Sequence, residues 1–249
     1  MGTPTDNGVA HVDIPTADGA MPAALAVPSH AQPRGAVVVI QEAFGITSHI
    51  ESICTRLASA GWLAVAPALY HREGSPVFAY DDFAGVLPVM QTLSAAGIDA
   101  DLDGTFQFLA DSGFAPKQCA TVGFCMGGTV SLYAGTRMAL GASVTFYGGG
   151  VAAGRFGFPP LIELAPTLRT PWLGLYGDLD KGIPFADVDL LREAAATAAV
   201  PTEVVRSADA DHGFNCDDRA AVFNAAAAAD GWQRTLAWFD RFITSESPR

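Results

Sequence analysis

Short apolar runs alternate with longer amphipathic stretches along most of the chain, and this alternation restricts the fold more than any other feature. Each run has five or six residues, and most are rich in Val, Leu or aromatic side chains. Such strands are typical of a parallel sheet that helices cover on both faces, because neither face then meets water. The predicted strands are Ala36–Ile40, Trp62–Ala66, Cys119–Gly123, Ala142–Tyr147, Trp172–Tyr176 and Thr202–Arg206.

The segments around these strands predict one hairpin and several helices. His11–Ile14 and Ala23–Val27 flank the turn-like tetrad Thr16–Gly19, which favours an antiparallel hairpin at the sheet edge. Ser48, followed by Glu51 three residues later, has the spacing of a capping box and predicts a helix that begins there. Further helices are predicted over Asp99–Asp111, Met126–Leu140, Ala186–Ala199 and Ala220–Ile243. Two segments that follow strands have no clear periodicity and are candidate pocket walls: Ala68–Pro88 and Gly148–Pro171.

No repeat, linker or charge run divides the 249 residues, so we expect a single domain over residues 1–249. Half of the residues are apolar and 16% are charged, as in a globular protein. The stretch Gln118–Gly154 has Arg137 as its only charged residue, but it contains many glycines, which a membrane helix would not usually carry. We therefore expect this stretch to form the centre of the core.

Charge and cysteine usage indicate which partners and which compartment to expect. The net charge of −12 would repel phosphate backbones and anionic membranes, so we expect no nucleic-acid or membrane partner. The four cysteines form no CxxC motif, which favours reduced thiols over disulfides. Met1–Asp13 lacks the basic residues and apolar core of a secretory signal. We expect a cytoplasmic monomer that acts on a small molecule.

The strongest chemical signal is the pentapeptide Gly123–Gly127, with Cys125 at its centre, between a predicted strand and a predicted helix. This spacing matches the G-x-nucleophile-x-G elbow, with Cys in place of Ser. The glycines let the strand and the helix approach a strained turn without Cβ clashes. Unpaired N–H groups at the helix start would favour a thiolate and an acyl oxyanion. The alternative is a buried cysteine in a glycine-rich turn.

A cysteine nucleophile needs a base, and the base needs an acid to orient it. His212 follows the last predicted strand, where a base is expected. Asp178 and Asp180 follow the preceding strand, and Asp180 is favoured because Ile183–Pro184 begins three residues after it. The order Cys125, Asp180, His212 is that of the α/β-hydrolase fold. We therefore predict this fold, with a mostly parallel central sheet, an N-terminal antiparallel hairpin and helices on both faces.

The stretch Gln41–Gly45 directly follows the first central strand, where this fold supplies an oxyanion-binding N–H group. We predict that the backbone N–H groups of Ala43 and Met126 hold the oxyanion. Glu42 is unexpected at this place. Its residue type alone slightly favours a salt bridge to a nearby arginine over a role in the pocket.

These motifs together resemble the dienelactone hydrolase family of α/β-hydrolases, over about Val9–Phe242. The resemblance rests on Gln41–Gly45, Gly123–Gly128, Asp180 with Ile183–Pro184, and Asp211–Phe214. It implies hydrolysis of esters or lactones through an acyl-enzyme, without a cofactor. It also implies that Glu42 holds the Cys125 thiol in the resting enzyme and accepts its proton when substrate binds.

The chain departs from the family at the substrate-binding arginines. The best-known members hold the substrate carboxylate with one arginine four residues after the catalytic histidine and one after the strand matching Trp62–Ala66. Cys216 stands at the first position, and the second segment offers Asp81–Asp82 without an obvious arginine. A broader carboxylesterase or thioesterase therefore stays open. The candidate substrate-binding residues are Arg72, Tyr147, Arg155, Phe214 and Arg219.

Other classes of function have less support. His11, His30, His49, His71 and His212 are dispersed without an H-E-x-x-H motif, so we expect no metal. Gly148–Ala153 formally fits a dinucleotide motif, but it runs into Pro159–Pro160 and lacks the helix that would bind phosphate. A hydrolase-fold protein that binds a ligand without turning it over is the remaining alternative. Cys54 and Cys119 are expected to fill the core, whereas Cys216 is either a pocket-wall thiol or a structural one.

Overall fold

A computed structural model describes residues 8–29 and 31–243 of the chain. Its strands are β1 Ala10–Thr16, β2 Gly19–Ala26, β3 Ala36–Ile40, β4 Leu63–Pro67, β5 Cys119–Phe124, β6 Ala142–Phe146, β7 Trp172–Gly177 and β8 Thr202–Ser207. They form one eight-stranded sheet in the order β1-β2-β4-β3-β5-β6-β7-β8. Strand β2 pairs antiparallel with β1 and β4, whereas all other neighbours are parallel.

Helices connect the parallel strands. Their bounds are α1 Ser48–Ser59, α2 Phe83–Met90, α3 Ala95–Asp111, α4 Met126–Arg137, α5 Leu161–Leu164, α6 Phe185–Ala195 and α7 Ala225–Phe242. Apolar residues of α1 and α7 cluster with Val37 and Val39 of β3, whereas those of α2 and α3 cluster with Val38 and Ile40. Successive side chains of a strand point to opposite faces, so the sheet has an apolar layer on each side. No helix of the described ranges is long and apolar enough to cross a membrane.

The predicted doubly covered sheet and its edge hairpin are confirmed. Strand β3 has the predicted bounds, and the other parallel strands begin or end within one residue of prediction. Thr16 pairs with Gly19 at the hairpin turn, as the tetrad predicts. The four cysteines are free, and Cys54 and Cys119 are buried among core residues. The core-filling role predicted for these two is therefore confirmed.

The helix ends differ from prediction where capping side chains decide them. Helix α1 is capped by Thr47, whose Oγ1 accepts from the Ile50 N–H, and not by Ser48, whose hydroxyl donates to Asp218 Oδ2 at 3.0 Å. Helix α7 begins five residues later than predicted because the Asn224 side chain accepts from the Ala227 N–H at 3.0 Å. Helices α4 and α6 end earlier than predicted, and α3 begins earlier.

Two helices form in the segments that have no periodicity. Helix α2 is capped by Asp82, whose Oδ1 accepts from the Gly85 N–H at 2.9 Å, and Val86 is its only buried residue. Helix α5 is a single turn after Pro160. Both segments follow the C-terminal ends of parallel strands, which meet at one edge of the sheet. The predicted site residues of the loops after β3, β5, β7 and β8 meet at this same edge.

Candidate active site

Cys125 stands on a strained turn between β5 and α4. Its φ of 55° and ψ of −118° lie where L-residues are rarely found. A Cβ on Gly123 would come within 1.9 Å of the Gly127 carbonyl oxygen, and one on Gly127 within 2.3 Å of the Ile40 carbonyl oxygen. Only glycine therefore fits at these two positions. The close packing also brings the start of α4 against the loop after β3.

His212 links Cys125 to Asp180. Its Nε2 lies 3.1 Å from Cys125 Sγ, and its Nδ1 lies 2.6 Å from Asp180 Oδ2. Asp180 is 4% exposed, and its other oxygen accepts from the N–H groups of Gly182 and Ile183 at 2.8 and 3.1 Å. The carboxylate is thus held by its own loop and faces His212.

The two candidate acids are distinguished by their partners. Asp178 forms a two-point ion pair with Arg206, at 2.6 and 3.0 Å, and does not meet His212. The structure therefore brings Asp180, and not Asp178, to the predicted base, as the spacing before Ile183–Pro184 favours.

The environment of His212 raises its pKa. Burial by itself would lower the pKa, but the negative charge of a Cys125 thiolate and hydrogen bonds to Asp180 and Cys125 raise it to about 10. The ring therefore stays protonated, and positively charged, well above neutral pH. A cation beside a cysteine sulfur is the arrangement in which cysteine nucleophiles act.

Glu42 is buried, with 1% of its surface exposed. Tyr147 donates to its Oε1 at 3.2 Å, whereas Oε2 has no hydrogen-bond partner among residues 8–29 and 31–243. No ion pair involves Glu42 within these residues, so the salt-bridge interpretation receives no support. The sulfur of Cys125 meets His212 here, which differs from the resting contact with Glu42 that the resemblance implies.

Tyr147 and Phe214 form an aromatic pair beside His212. The Tyr147 ring lies 5.2 Å from the His212 ring and 5.2 Å from the Phe214 ring, between ring centroids. Burial and the charge on Glu42 raise the pKa of Tyr147 well above its ordinary value, so its hydroxyl stays a donor. Phe214 is 1% exposed and reaches the site through Tyr147.

The three arginines predicted as substrate anchors have different surroundings. Arg72 donates to Asp18 and to the buried Asp101, so its positive charge is already paired with two carboxylates. Arg155 is exposed and lines a cavity of about 160 Å³ together with Asp187. This cavity lies beside the loop that holds the candidate acid.

Arg219 packs against Gly213, the residue that follows His212. A Cβ on Gly213 would lie 2.5 Å from a guanidinium nitrogen of Arg219. The guanidinium carbon lies 5.5 Å from the Phe44 ring centroid and 5.8 Å from that of Tyr80. Among the described residues it has no carboxylate partner. An unpaired cation beside the reacting groups is suited to an anionic ligand.

Sequence reasoning assigned no role to the side chains of Tyr80, Tyr70 and Gln41, which lie around the predicted groups, and it left the role of Cys216 open. Cys216 is buried, and burial with the nearby charge of Glu42 raises its pKa to about 12, so it is a neutral thiol in the wall. Tyr80 hydrogen-bonds Thr47 at 3.1 Å and lies beside Cys216. Tyr70 and Gln41 contact the loop that carries Ala43. Tyr70 and Tyr80 belong to the segment predicted as a pocket wall, and this was the sequence feature that could have indicated a place near the site.

The described residues contain no group of three or more His, Cys, Asp and Glu side chains that could hold a metal ion. His30, one of the five dispersed histidines, lies outside the described residues.

The mostly parallel sheet and the elbow after β5 define an α/β-hydrolase. The fold alone is shared with the Pyrococcus horikoshii acylaminoacyl peptidase, which is 15% identical with a TM-score of 0.71 over 97% of this chain and 42% of that one. The family model described as "Dienelactone hydrolase family" matches residues 21–243. The chain therefore belongs to the dienelactone hydrolase family, and it is a hydrolase of the carboxylic ester class.

Individual relatives agree with this assignment. A protein of Escherichia coli O157:H7 with the name "Putative carboxymethylenebutenolidase" is 39% identical over 248 residues, which cover 96% of this chain and 90% of that protein. The crystal structure of a "Putative Dienelactone Hydrolase" from Klebsiella pneumoniae subsp. pneumoniae MGH 78578 is 37% identical with a TM-score of 0.85. It covers 94% of this chain and 98% of that one.

Proposed function

We propose that the protein hydrolyses small carboxylic esters or lactones, with Cys125 as nucleophile, His212 as base and Asp180 as the acid that orients His212. The line of contacts from Asp180 Oδ2 through His212 to Cys125 Sγ, at 2.6 and 3.1 Å, carries this proposal. A nucleophile and an oriented base within hydrogen-bond reach are the requirements of covalent acyl transfer. The names of the relatives favour a lactone as the natural substrate.

In the proposed first half-reaction, His212 holds the proton of the Cys125 thiol while the sulfur attacks the substrate carbonyl carbon. A C–S bond forms, and the carbonyl electron pair moves to oxygen, where the N–H groups of Ala43 and Met126 donate hydrogen bonds. The bond to the leaving oxygen then breaks, and His212 gives its proton to that oxygen. The products are an acyl-enzyme thioester and an alcohol, which stays attached to the acyl group if the substrate is a lactone.

In the second half-reaction, water attacks the thioester carbonyl and gives a proton to His212. Where a dienelactone leaves as an enolate, His212 has instead kept the first proton, and the enolate takes the proton of water. The same two N–H groups hold the second oxyanion. The C–S bond breaks, the carboxylic acid leaves, and the proton returns to the Cys125 sulfur. A thiolate suits activated esters with good leaving groups, so amides are expected to be poor substrates.

We assign Glu42 the role of holding the Cys125 thiol before substrate binds. This assignment is supported by its buried carboxylate, one oxygen of which has no hydrogen-bond partner among the described residues. Tyr147 connects Glu42 with the site, since its hydroxyl donates to Glu42 Oε1 at 3.2 Å and its ring centroid lies 5.2 Å from that of His212. The sulfur would rotate from His212 towards Glu42 to make this contact.

We further propose that Arg219 binds a carboxylate of the substrate. Its guanidinium lies beside Gly213, rests on two aromatic rings and has no carboxylate partner among the described residues. A second candidate, a broader esterase or thioesterase, is favoured by the neutral Cys216 at a position where the family has arginine and by the pairing of Arg72 with Asp101.

Hydrolysis of p-nitrophenyl acetate and of a dienelactone by wild type and Cys125→Ala tests the proposal. We expect turnover of both by the wild type and of neither by the variant. Cys119→Ala removes a buried thiol elsewhere and is the matched control, expected to retain activity. Hydrolysis of the simple ester alone would favour the broader esterase. Wild-type turnover by Cys125→Ala would contradict the mechanism, and no turnover at all would favour a binding protein.

We also infer a cytoplasmic location, because the four cysteines are free thiols, and a monomer, which the net charge of −12 permits. Size-exclusion chromatography with light scattering is expected to give a mass near 25.9 kDa. A dimer mass would contradict the monomer.

A further inference from the structure

We propose that Tyr70 and Gln41 are a positioning pair that sets the direction of the Ala43 N–H, and hence the shape of the oxyanion hole. The inference rests on the proposed function, since it concerns how the proposed oxyanion donors are held. Neither side chain touches the triad, and both are buried, with 1% of Tyr70 and none of Gln41 exposed.

Gln41 holds the peptide group that carries the Ala43 N–H. Its Nε2 donates to the Glu42 carbonyl oxygen at 3.3 Å, and the Gly45 N–H donates to the same oxygen at 3.4 Å. The Glu42 C=O and the Ala43 N–H belong to one planar group and point in opposite directions. Fixing the carbonyl therefore fixes the direction of the N–H, which faces away from Gln41.

Tyr70 holds the next peptide group. Its hydroxyl lies 3.0 Å from the Ala43 carbonyl oxygen and 3.3 Å from Met126 Sδ. A phenol has one hydrogen to donate, and a carbonyl oxygen is a better acceptor than a thioether, so the hydrogen goes to Ala43. With Gln41 on one side and Tyr70 on the other, the rotation of Ala43 about both of its backbone bonds is restrained.

Gln41 is linked to Tyr70 through the backbone of the preceding residue. The Leu69 N–H donates to Gln41 Oε1 at 3.1 Å, so the backbone directly before Tyr70 anchors the glutamine. The Tyr70 carbonyl accepts from the N–H groups of Glu73 and Ser75, at 2.9 and 3.0 Å, which fixes the turn that carries it. The loop after β4 therefore supports the loop after β3 at two successive peptides.

Tyr70 also contacts both residues that carry the proposed oxyanion donors. Its hydroxyl contacts the Met126 side chain as well as the Ala43 carbonyl. Burial, together with the charge at Cys125, raises the pKa of Tyr70, so the hydroxyl remains a donor over the pH range of the assay. Preorganised donors need no reorganisation when charge develops on the oxygen, which is where oxyanion holes contribute most to rate.

Tyr70→Phe keeps the ring and removes the donor. We expect kcat for p-nitrophenyl acetate to fall about 10-fold with KM unchanged, because a donor is misdirected and not deleted. Acetaldehyde serves as a reversible inhibitor. The Cys125 thiol adds to its carbonyl group to form a hemithioacetal, and the former carbonyl oxygen then occupies the oxyanion position. The inhibition constant of acetaldehyde is expected to rise by the same factor, while the pH profile and the fraction of sites alkylated by iodoacetamide stay unchanged.

Tyr133→Phe is the matched control, because it removes a tyrosine hydrogen bond, to Asp99 at 2.8 Å, outside the site. Gln41→Met tests the hold on the Ala43 N–H independently and is expected to lower kcat about 10-fold. It keeps the inference testable if Tyr70→Phe does not fold. If both residues act on one N–H group, the double variant loses much less than the product of the single losses.

The inference is overturned if Tyr70→Phe and Gln41→Met keep kcat and acetaldehyde inhibition within twofold of wild type. A rise in KM at constant kcat, multiplicative losses in the double variant, or an equal loss in Tyr133→Phe would also contradict it. If the wild type shows no Cys125-dependent turnover, the proposed function fails, and the inference fails with it.

Discussion

Cys125→Ala is expected to lower the pKa of His212 from about 10 to below about 8. Unit charges 3.1 Å apart, the distance from Cys125 Sγ to Nε2, interact by about 5 kcal/mol at an effective dielectric constant of about 20. This energy corresponds to about four pKa units. Because about a third of the His212 side chain is exposed, we discount the effect by about half for solvent screening.

The sign of the change follows from the charges. A thiolate stabilises the imidazolium, so its removal makes the proton easier to lose, and the burial of the ring then lowers the pKa further. Asp180 remains and retains part of the increase. The ordinary histidine value of about 6.5 is therefore the approximate lower end of the expected range.

The change is measured by NMR on protein with ¹³C- and ¹⁵N-labelled histidines, titrated from about pH 5 to about pH 11. The His212 signal is assigned by its loss in His212→Gln. Cys216→Ala removes a buried thiol that does not contribute to the pKa of His212, and it is expected to leave the pKa near 10. A wild-type pKa of about 10 that stays unchanged in Cys125→Ala would refute the reasoning. A wild-type pKa near the ordinary value would instead show Cys125 as the neutral thiol that Glu42 is proposed to hold before substrate binds.

Three further variants test other parts of the site. Asp180→Asn is expected to lower kcat about 100-fold or more, because the ring loses its orienting carboxylate, whereas Asp178→Asn, measured in the same ester assay, keeps kcat within about fivefold. Arg219→Gln is expected to raise KM about 10-fold for an ester that carries a carboxylate, from one charged hydrogen bond, but not for p-nitrophenyl acetate; equal effects on both esters would contradict carboxylate binding. Gly123→Ala is expected to destabilise the fold by about 3 kcal/mol or more, because its Cβ would overlap the Gly127 carbonyl. An unchanged melting temperature in calorimetry would contradict this last expectation.

The elements that could be predicted are those specified by neighbouring residues. Strand β3 appears with its predicted bounds because Ala36–Ile40 is a continuous apolar run that needs burial on both faces. The elbow could be recognised because glycines stand two residues on either side of Cys125. A Cβ on Gly123 would meet the Gly127 carbonyl of the same turn, and one on Gly127 would meet the Ile40 carbonyl of β3. The capping of α1 by Thr47 was not predicted. Thr47 and Ser48 are adjacent hydroxyl residues that could each cap the helix, and only the tertiary contact of Ser48 with Asp218 leaves Thr47 as the cap.

Side-chain partners far apart in the chain could not be predicted. Arg72 was a reasonable anchor candidate, but its partner Asp101 lies 29 residues away on α3, and no local pattern indicates that pairing. Asp178 and Asp180 are both suitable acids by residue type, and the pairing of Asp178 with Arg206 on β8 distinguishes them. The roles of Tyr70 and Gln41 depend on two loops that follow different strands and meet at one sheet edge.

The amino-acid sequence by itself determined the fold class, the edge of the sheet where the site forms, and the residues Cys125, Asp180 and His212 as its candidates. Periodicity and glycine spacing specify strands, helices and the elbow over a few residues. Right-handed crossovers join the parallel strands, whose C-terminal ends therefore meet at one edge of the sheet. Only the tertiary structure decided which charged side chains are already paired with an opposite charge, as Arg72 is, and which stay available to bind a ligand, as Arg219 does. Pairing depends on angstrom-scale distances between separate elements, and these distances exist only once the two apolar layers have packed.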